Sequence, residues 1–200
     1  MKVILLNGSP HVNGCTKRAL TEVATALNEE NIETEIIDVS SGYVGCKACN
    51  ACSKIGRCAI NDGLNEISEK VKSADGLIIG APVYYASPNG NFIAFLDRIF
   101  CSSKGAFSFK VGASVVSARR GGTTASLDVL NKYFLISNMV MPGSSYWNMV
   151  HGNTPEEVEQ DKEGLQTMRQ LGKNTAWVIK ALKSQPTPIA EAKIRTNFTR

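Results

Sequence analysis

The chain has 200 residues, 43% of them hydrophobic and 20% charged, a composition typical of one soluble globular domain with its own core. Its net charge of +4 is small, and the segment from residue 183 onward supplies most of it. The near-neutral body therefore argues against nucleic acid or an anionic membrane as a partner. The first residues have no signal-peptide pattern and no run approaches the length of a membrane span, so we expect a cytoplasmic protein.

Five short apolar runs predict strands at residues 3–6, 32–39, 76–80, 111–117 and 139–146. The first, third and fourth runs are almost continuously apolar, which is typical of parallel strands buried on both faces. Between the runs, helical spacing of apolar residues predicts helices at residues 16–30, 64–73, 88–100 and 123–138. This alternation predicts an α/β fold, a doubly wound sandwich with a parallel sheet between two layers of helices.

A last helix is predicted to begin after Thr154, which offers an N-cap followed by Pro155 and, at the third helical position, Glu157. Its apolar spacing continues to about residue 183, with a break expected near Gly164. We therefore predict one domain over residues 1–183 and a polar, flexible tail over residues 184–200.

A glycine-rich segment, NGSPHVNGCT at residues 7–16, joins the first predicted strand to the first predicted helix. Backbone N–H groups at a helix start bind anions, and small hydroxyl residues add donors. The segment has neither the GxxxxGK[ST] nor the GxGxxG pattern, and without a dedicated lysine it favours a permanently bound monophosphate. The alternative is that these residues only form a turn and an N-cap.

Two further segments follow predicted strands at the edge of the sheet where open α/β folds bind ligands. Residues 80–90, GAPVYYASPNG, offer two aromatic side chains between prolines, which suit contact with a flat ring or packing against another subunit. Residues 117–124, SARRGGTT, combine paired arginines with glycines that let the backbone approach a planar, reduced anionic ring. The alternative for this second segment is a solvated loop.

Four cysteines, at positions 46, 49, 52 and 58, lie between the second predicted strand and the next helix. Thiols this close in a reducing compartment favour a soft metal or an iron–sulfur cluster over a disulfide scaffold. Their spacing differs from the bacterial ferredoxin run, because five residues rather than three separate the third cysteine from the fourth. It also differs from a zinc ribbon, which has two separated CxxC pairs. From the residues alone, a four-iron cluster, free or redox-active thiols, and zinc all stay open.

Together the three strand-end segments resemble the FMN-binding loops of the flavodoxin-like NAD(P)H-dependent FMN reductases. The motifs GSPHxNGCT, APVYYASPNG with the following FIAFLDR, and ARRGG carry this resemblance, which runs from residue 1 to about residue 183. The cysteine segment is similar to the compact motif of the iron–sulfur flavoproteins within that group. The resemblance implies a flavodoxin-like doubly wound sandwich with a five-stranded parallel sheet in the order 2-1-3-4-5.

Carried over position by position, the resemblance implies FMN contacts from all three segments: Ser9, His11, Gly14, Cys15, Thr16, Pro82, Val83, Tyr84, Tyr85, Ser87, Ala118, Arg119, Gly121 and Gly122. His11 stands where the family usually has arginine, and Cys15 where asparagine or serine is usual. We expect Cys15 to be a buried small residue that donates its backbone N–H. Cys101, on an apolar predicted helix, is expected in the core.

For the cysteine segment, the resemblance implies that four thiolates hold a 4Fe-4S cluster: Cys46, Cys49, Cys52 and Cys58. We expect the loop over residues 45–60 to place such a cluster at a subunit interface of a homodimer or homotetramer. Asp97 and Arg98, on a predicted helix, are expected to form a structural or interface pair.

The implied function is an FMN-dependent oxidoreductase. NAD(P)H is the expected donor, and electrons leave for a small-molecule or carrier acceptor such as a quinone, a flavin or ferredoxin, directly or through the cluster. No catalytic side chain is expected, because the cofactor supplies the chemistry. One alternative is an iron–sulfur flavoprotein electron carrier without NAD(P)H activity. The other is a flavin- or metal-binding redox sensor without turnover.

Overall fold

A parallel sheet forms the centre of the structure. The structure is a computed structural model, and it describes residues 1–39 and 42–189 together with 191, 192, 194, 196 and 198. Its strands are β1 Lys2–Asn7, β2 Glu33–Asp38, β3 Gly76–Tyr84, β4 Ser87–Pro88, β5 Val111–Ala118 and β6 Met149–His151. The five parallel strands lie in the order β2-β1-β3-β5-β6, and the short β4 pairs antiparallel with the end of β3. The predicted strand order is therefore confirmed.

Helices cover both faces of this sheet, as predicted. They are α1 Cys15–Glu29, α2 Ala51–Ile55, α3 Leu64–Ser73, α4 Gly90–Ser103, α5 Thr123–Ile136, α6 Pro155–Val158 and α7 Lys162–Lys183. One buried cluster joins the sheet to α3, α4 and α5, and a second joins it to α1 and α7. The described helices include none with the length and apolar character needed to cross a bilayer.

Helices α1 and α7 approach each other closely on the second face. A Cβ added to Gly172 of α7 would lie 2.7 Å from Ala26 Cβ and 2.8 Å from the Val23 carbonyl oxygen of α1. Glycine at this position therefore allows the two helices to pack at short range.

The fifth parallel strand lies later in the chain than the sequence predicts. Residues 139–146 contribute one isolated bridge, between Val140 and Val111, and the ladder with β5 forms at Met149–His151 instead. Pro142 explains the difference, since proline has no backbone N–H to donate to a neighbouring strand. The segment 139–146 is apolar without being a regular strand.

The last helical region is divided earlier than predicted. Thr154 caps α6 as expected, accepting from the Glu157 N–H at 3.3 Å. The break falls between Val158 and Lys162 rather than near Gly164, because Asp161 begins a new helix by accepting from the Gly164 N–H at 2.9 Å. Helix α7 ends at Lys183, as predicted.

Two features were outside the reach of the sequence patterns. The cysteine segment contains the short helix α2, which no apolar periodicity marks. After Lys183, described residues 186–189 form no regular element, whereas residues 190, 193, 195, 197, 199 and 200 of the predicted tail lie outside the described residues. The flexibility of the tail therefore stays a prediction.

Candidate functional site

A cleft of about 670 Å³ opens where β1, β3, β5 and β6 end. Ten of the residues predicted for FMN line it: Ser9, His11, Gly14, Cys15, Thr16, Pro82, Val83, Tyr84, Ala118 and Arg119. The cleft lies at the carboxyl ends of the parallel strands, where open α/β sheets bind ligands, and its volume is that of a small-molecule site. The structure thus brings together residues from three segments that are far apart in sequence.

The first segment turns the chain from β1 into α1 without capping that helix by a side chain. Asn7 accepts from the Ser9 N–H at 3.2 Å, and the Ser9 hydroxyl accepts from the His11 N–H at 3.1 Å, so these side chains shape the turn. Gly14 is the N-cap, no side chain accepts from the first helical N–H groups, and no acidic residue stands in the first turn. The start of α1 is therefore free to bind an anion in the cleft.

Gly14 also allows this turn to be tight. A Cβ added there would meet His11 Cβ at 3.0 Å and the His11 carbonyl oxygen at 3.1 Å. The Gly14 N–H donates to that same carbonyl at 3.0 Å, which closes the turn before the helix begins. His11 is exposed at the mouth of the cleft, so its side chain is accessible to a ligand.

A short hairpin forms another wall of the cleft. Tyr84 lines the cleft, whereas Tyr85 at the tip is fully exposed. Tyr85 and Ala86 have φ angles of 51° and 57°, a left-handed pair that L residues adopt at a cost of about 1–3 kcal/mol each. Strain at a ligand-facing turn indicates that the neighbouring chain fixes its shape.

Gly122 supports this strained turn from below. Its φ angle is +88°, and an added Cβ would lie 2.7 Å from Ala86 Cα and 2.9 Å from Val83 Cγ1. Gly122 thus contacts the hairpin rather than the cleft, and Gly121 is exposed with nothing within 4 Å of an added Cβ. Four of the residues predicted to bind FMN therefore do not line the cleft: Tyr85, the half-buried Ser87, Gly121 and Gly122.

The sequence patterns missed seven lining residues: Val12, Asn13, Ser117, Gly152, Asn153, Thr154 and Pro155. The last four follow β6, so placing the fifth strand too early hid them. One sequence pattern could have placed the fifth strand correctly. The short apolar run of Met149 and Val150 comes directly before the helix-start pattern at Thr154.

Cys15 lies at the wall that β6 contributes. Its side chain is half-buried rather than buried, and Sγ lies 3.5 Å from the Gly152 carbonyl oxygen. Burial raises the pKa of the Cys15 thiol, which disfavours the thiolate. Cys15 therefore acts as a packing residue at the cleft.

A second, smaller cavity of about 50 Å³ is lined by all four cysteines of the loop. Cys46 and Cys49 are exposed, and Cys52 and Cys58 are half-buried. Over the described residues, no group of three or more His, Cys, Asp or Glu side chains stands in an arrangement that would hold a metal ion. The fold thus gathers the four thiols around a shared space.

Cys101 also lines this cavity, which corrects its expected place in the core. Its side chain is exposed in the last turn of α4, where the neighbours Ile99 and Ser102 face inward. Burial and the adjacent Cys52 and Cys46 thiols raise the pKa of the Cys101 thiol. The apolar sequence of α4 was misleading because the cysteine loop packs beside its end.

Asp97 and Arg98 do not pair, contrary to expectation. Asp97 accepts a hydrogen bond from the Tyr133 hydroxyl. Arg98 points the other way, is only 2% exposed, and forms a bidentate pair with Asp62 at 2.6 and 2.9 Å. This hydrogen-bonded pairing lowers the pKa of the Asp62 carboxyl.

Comparison with known proteins identifies the family of this chain. A family model described as NADPH-dependent FMN reductase matches residues 1–154. The chain is 35% identical over 192 residues to an iron–sulfur flavoprotein of Methanocaldococcus jannaschii, covering 92% of this chain and 100% of that protein. It is 30% identical over 188 residues to an iron–sulfur flavoprotein of Methanosarcina thermophila, covering 92% and 97%.

The fold is similar to that of a solved flavodoxin, a WrbA-like protein from Agrobacterium tumefaciens, with a TM-score of 0.62 and 18% identity over 90% of this chain and 98% of that one. The flavodoxin-like sandwich is therefore confirmed, and the family supports flavin-based redox chemistry. This chain belongs to the NADPH-dependent FMN reductase family, within its group of iron–sulfur flavoproteins.

Proposed function

We propose that this chain is an FMN-dependent oxidoreductase that takes electrons from NAD(P)H and passes them to a small acceptor through a four-iron cluster on the cysteine loop. The convergence of three separate strand-end segments on one cleft carries the proposal. Its volume of about 670 Å³ lies within the usual range for cofactor sites.

The residues at the start of α1 fit the phosphate of FMN. The uncapped first turn offers backbone N–H groups and the positive end of the helix dipole. The hydroxyls of Ser9 and Thr16 line the same end of the cleft and add short-range donors. The absence of an acidic residue in this turn avoids repulsion of a dianion.

The walls at the strand ends fit a flat ring. Tyr84 offers an aromatic side chain at the end of β3, and Ala118 and Arg119 lie at the end of β5. FMN held there would supply hydride and single-electron transfer. The cationic Arg119 favours negative charge at the ring edge, and the strained hairpin sets the position of Tyr84.

The donor set of the cysteine loop suits an iron–sulfur cluster. The four thiols of the motif border one cavity, and thiolates are the ligands that such clusters take. Relatives that share the length of this chain bear the name iron–sulfur flavoprotein. We propose 4Fe-4S ligation by Cys46, Cys49, Cys52 and Cys58.

Helix α4 contacts both the first segment and the cysteine loop within one chain. Phe92 packs against Gly8 of the first segment, so closely that a Cβ on Gly8 would lie 2.2 Å from its ring. Arg98, six residues later, donates to Cys58 Sγ at 3.3 Å. One helix thus links the turn before the cleft to the loop that we propose holds the cluster. The exposed Cys46 and Cys49 leave the cavity open on one side, which a second subunit of a homodimer or homotetramer would cover.

Anaerobic stopped-flow spectroscopy of the purified holoprotein tests the donor. We expect NADPH or NADH to bleach the flavin absorbance and acceptors such as a quinone or free FMN to restore it. Rapid reduction by ferredoxin with negligible reduction by either nicotinamide would show an electron carrier instead. Tight FMN binding without turnover from any of the three donors would show a sensor.

A further inference from the structure

A buried guanidinium holds the cysteine loop at both of its ends. Arg98 Nη1 donates to the Val44 carbonyl oxygen at 3.2 Å, where the loop begins. Its Nη2 donates to the Ile60 carbonyl oxygen at 3.4 Å, and both terminal nitrogens bind the carboxylate of Asp62. A cation with 2% exposure is stable only with such partners, so the loop and Arg98 depend on each other.

Arg98 also binds a cysteine sulfur. Its Nε and Nη2 donate to Cys58 Sγ at 3.4 and 3.3 Å. Asn65 holds the backbone of the same cysteine, accepting from its N–H at 3.0 Å and donating to its carbonyl oxygen at 2.9 Å. Among the hydrogen bonds of the described residues, no charged donor reaches the sulfurs of the other three motif cysteines. Cys58 is therefore held both at its sulfur and at its backbone.

The middle of the loop is held less firmly. Helix α2, between Asn50 and Gly56, has no side-chain cap. Cys46 and Cys49 lie on this exposed part. Cys58 is thus the anchored thiol of the motif, and the other three thiols lie on the less constrained part of the loop.

We propose that Arg98 is a positioning residue of the cysteine site, which fixes Cys58 and raises the reduction potential of a four-iron cluster held there. This inference rests on the proposed function. Hydrogen bonds to cluster sulfurs stabilise the reduced, more negative state, and donors on a cation do so most strongly. The planar guanidinium serves Asp62 and Cys58 at once, whereas the single ammonium of lysine does not offer the same fork.

The experiment compares Arg98→Lys, Arg98→Gln and Arg57→Gln with wild type. Arg57 is an exposed arginine next to Cys58 in sequence, so its replacement removes the same charge from the same loop and serves as the matched control. Each protein is reconstituted anaerobically, and iron, sulfide and the cluster midpoint potential are measured. Hydrogen exchange of peptides covering residues 44–62 is followed in the FMN-loaded, iron-free forms.

We expect Arg57→Gln to match wild type in all readouts. Arg98→Lys should retain the cluster. The equilibrium between its reduced and oxidised cluster should shift about ten-fold toward the oxidised form, which lowers the midpoint potential by about 59 mV. In Arg98→Gln, exchange over residues 44–62 quickens and cluster content falls. Equal potentials and equal exchange in all four proteins would overturn the inference.

The two proposals fail separately. If wild type reconstitutes with FMN but without iron and sulfide, the proposed cluster is wrong. The hydrogen-exchange measurement then tests by itself whether Arg98 holds the cysteine loop in place. Faster exchange in Arg98→Lys and Arg98→Gln than in Arg57→Gln then supports the positioning role, and unchanged exchange removes it.

Discussion

The hydroxyl groups of Thr16 and Ser117 lie 2.7 Å apart in the cleft, although the two residues are 101 positions apart in sequence. Thr16 stands in the first turn of α1 and Ser117 near the end of β5, so the contact joins two of the three segments. Both side chains are buried, so each hydroxyl needs a hydrogen-bond partner, and each provides one for the other.

Thr16→Val is expected to weaken FMN binding about ten-fold, because it removes a hydroxyl that we propose donates to the phosphate and leaves Ser117 without its partner. Titration of the FMN-free protein by flavin fluorescence measures the change. Thr21→Val, on the same helix, is the control, since the Thr21 hydroxyl is exposed and binds only the Lys17 carbonyl of its own turn. Equal losses in both variants would place the phosphate elsewhere.

Gly122→Ala is expected to lower the free energy of unfolding by about 1–3 kcal/mol, since it combines a left-handed φ with overpacking. An added Cβ would lie 2.7 Å from Ala86 Cα, so the strained hairpin must shift. Gly121→Ala meets nothing within 4 Å and should stay within about 0.5 kcal/mol of wild type. Urea denaturation of the FMN-free proteins checks both values, and indistinguishable midpoints would show that the hairpin does not depend on Gly122.

Cys101→Ser should retain the iron and sulfide of wild type, whereas serine at Cys46, Cys49 or Cys52 should lower both sharply. The reason is the loop spacing, because the three motif thiols come from one segment while Cys101 only borders the same cavity from α4. Iron and sulfide analysis after anaerobic reconstitution measures this. Loss of the cluster in Cys101→Ser with retention in one of the motif variants would make Cys101 the ligand instead.

Asp62→Asn should destabilise the protein by about 2 kcal/mol near neutral pH, where the carboxylate is charged and bound to Arg98. The folded pKa of Asp62 lies below its unfolded value, so this stabilisation is full above the unfolded pKa of about 3.9 and is lost as pH falls through the folded pKa. The difference between wild type and variant should therefore shrink below about pH 4. Urea titrations of iron-free protein at several pH values test it, with the exposed Asp128→Asn as control. A difference that stays constant down to pH 3 would contradict the assigned cause.

The sequence predicts the sheet well where burial dominates. The runs at β1, β3 and β5 are apolar because both faces of the sheet are covered, and their strand order is confirmed. It fails where a single residue overrides the apolar pattern, as Pro142 does in the segment before β6.

The cysteine site shows the second limit. The four-cysteine motif is readable from its spacing, but the partners Arg98 and Asp62 are 36 positions apart, and no periodicity links them. Cys101 was misassigned for the same reason, because an apolar helix pattern does not reveal which loop packs beside its end. Long-range polar contacts need the tertiary structure.

The most direct test of the central claim is anaerobic purification of the holoprotein with FMN, iron and acid-labile sulfide measured per chain. We expect about one FMN with about four iron and four sulfide per chain. FMN without iron or sulfide would contradict the cluster, and a protein that neither retains nor rebinds FMN would contradict the whole assignment.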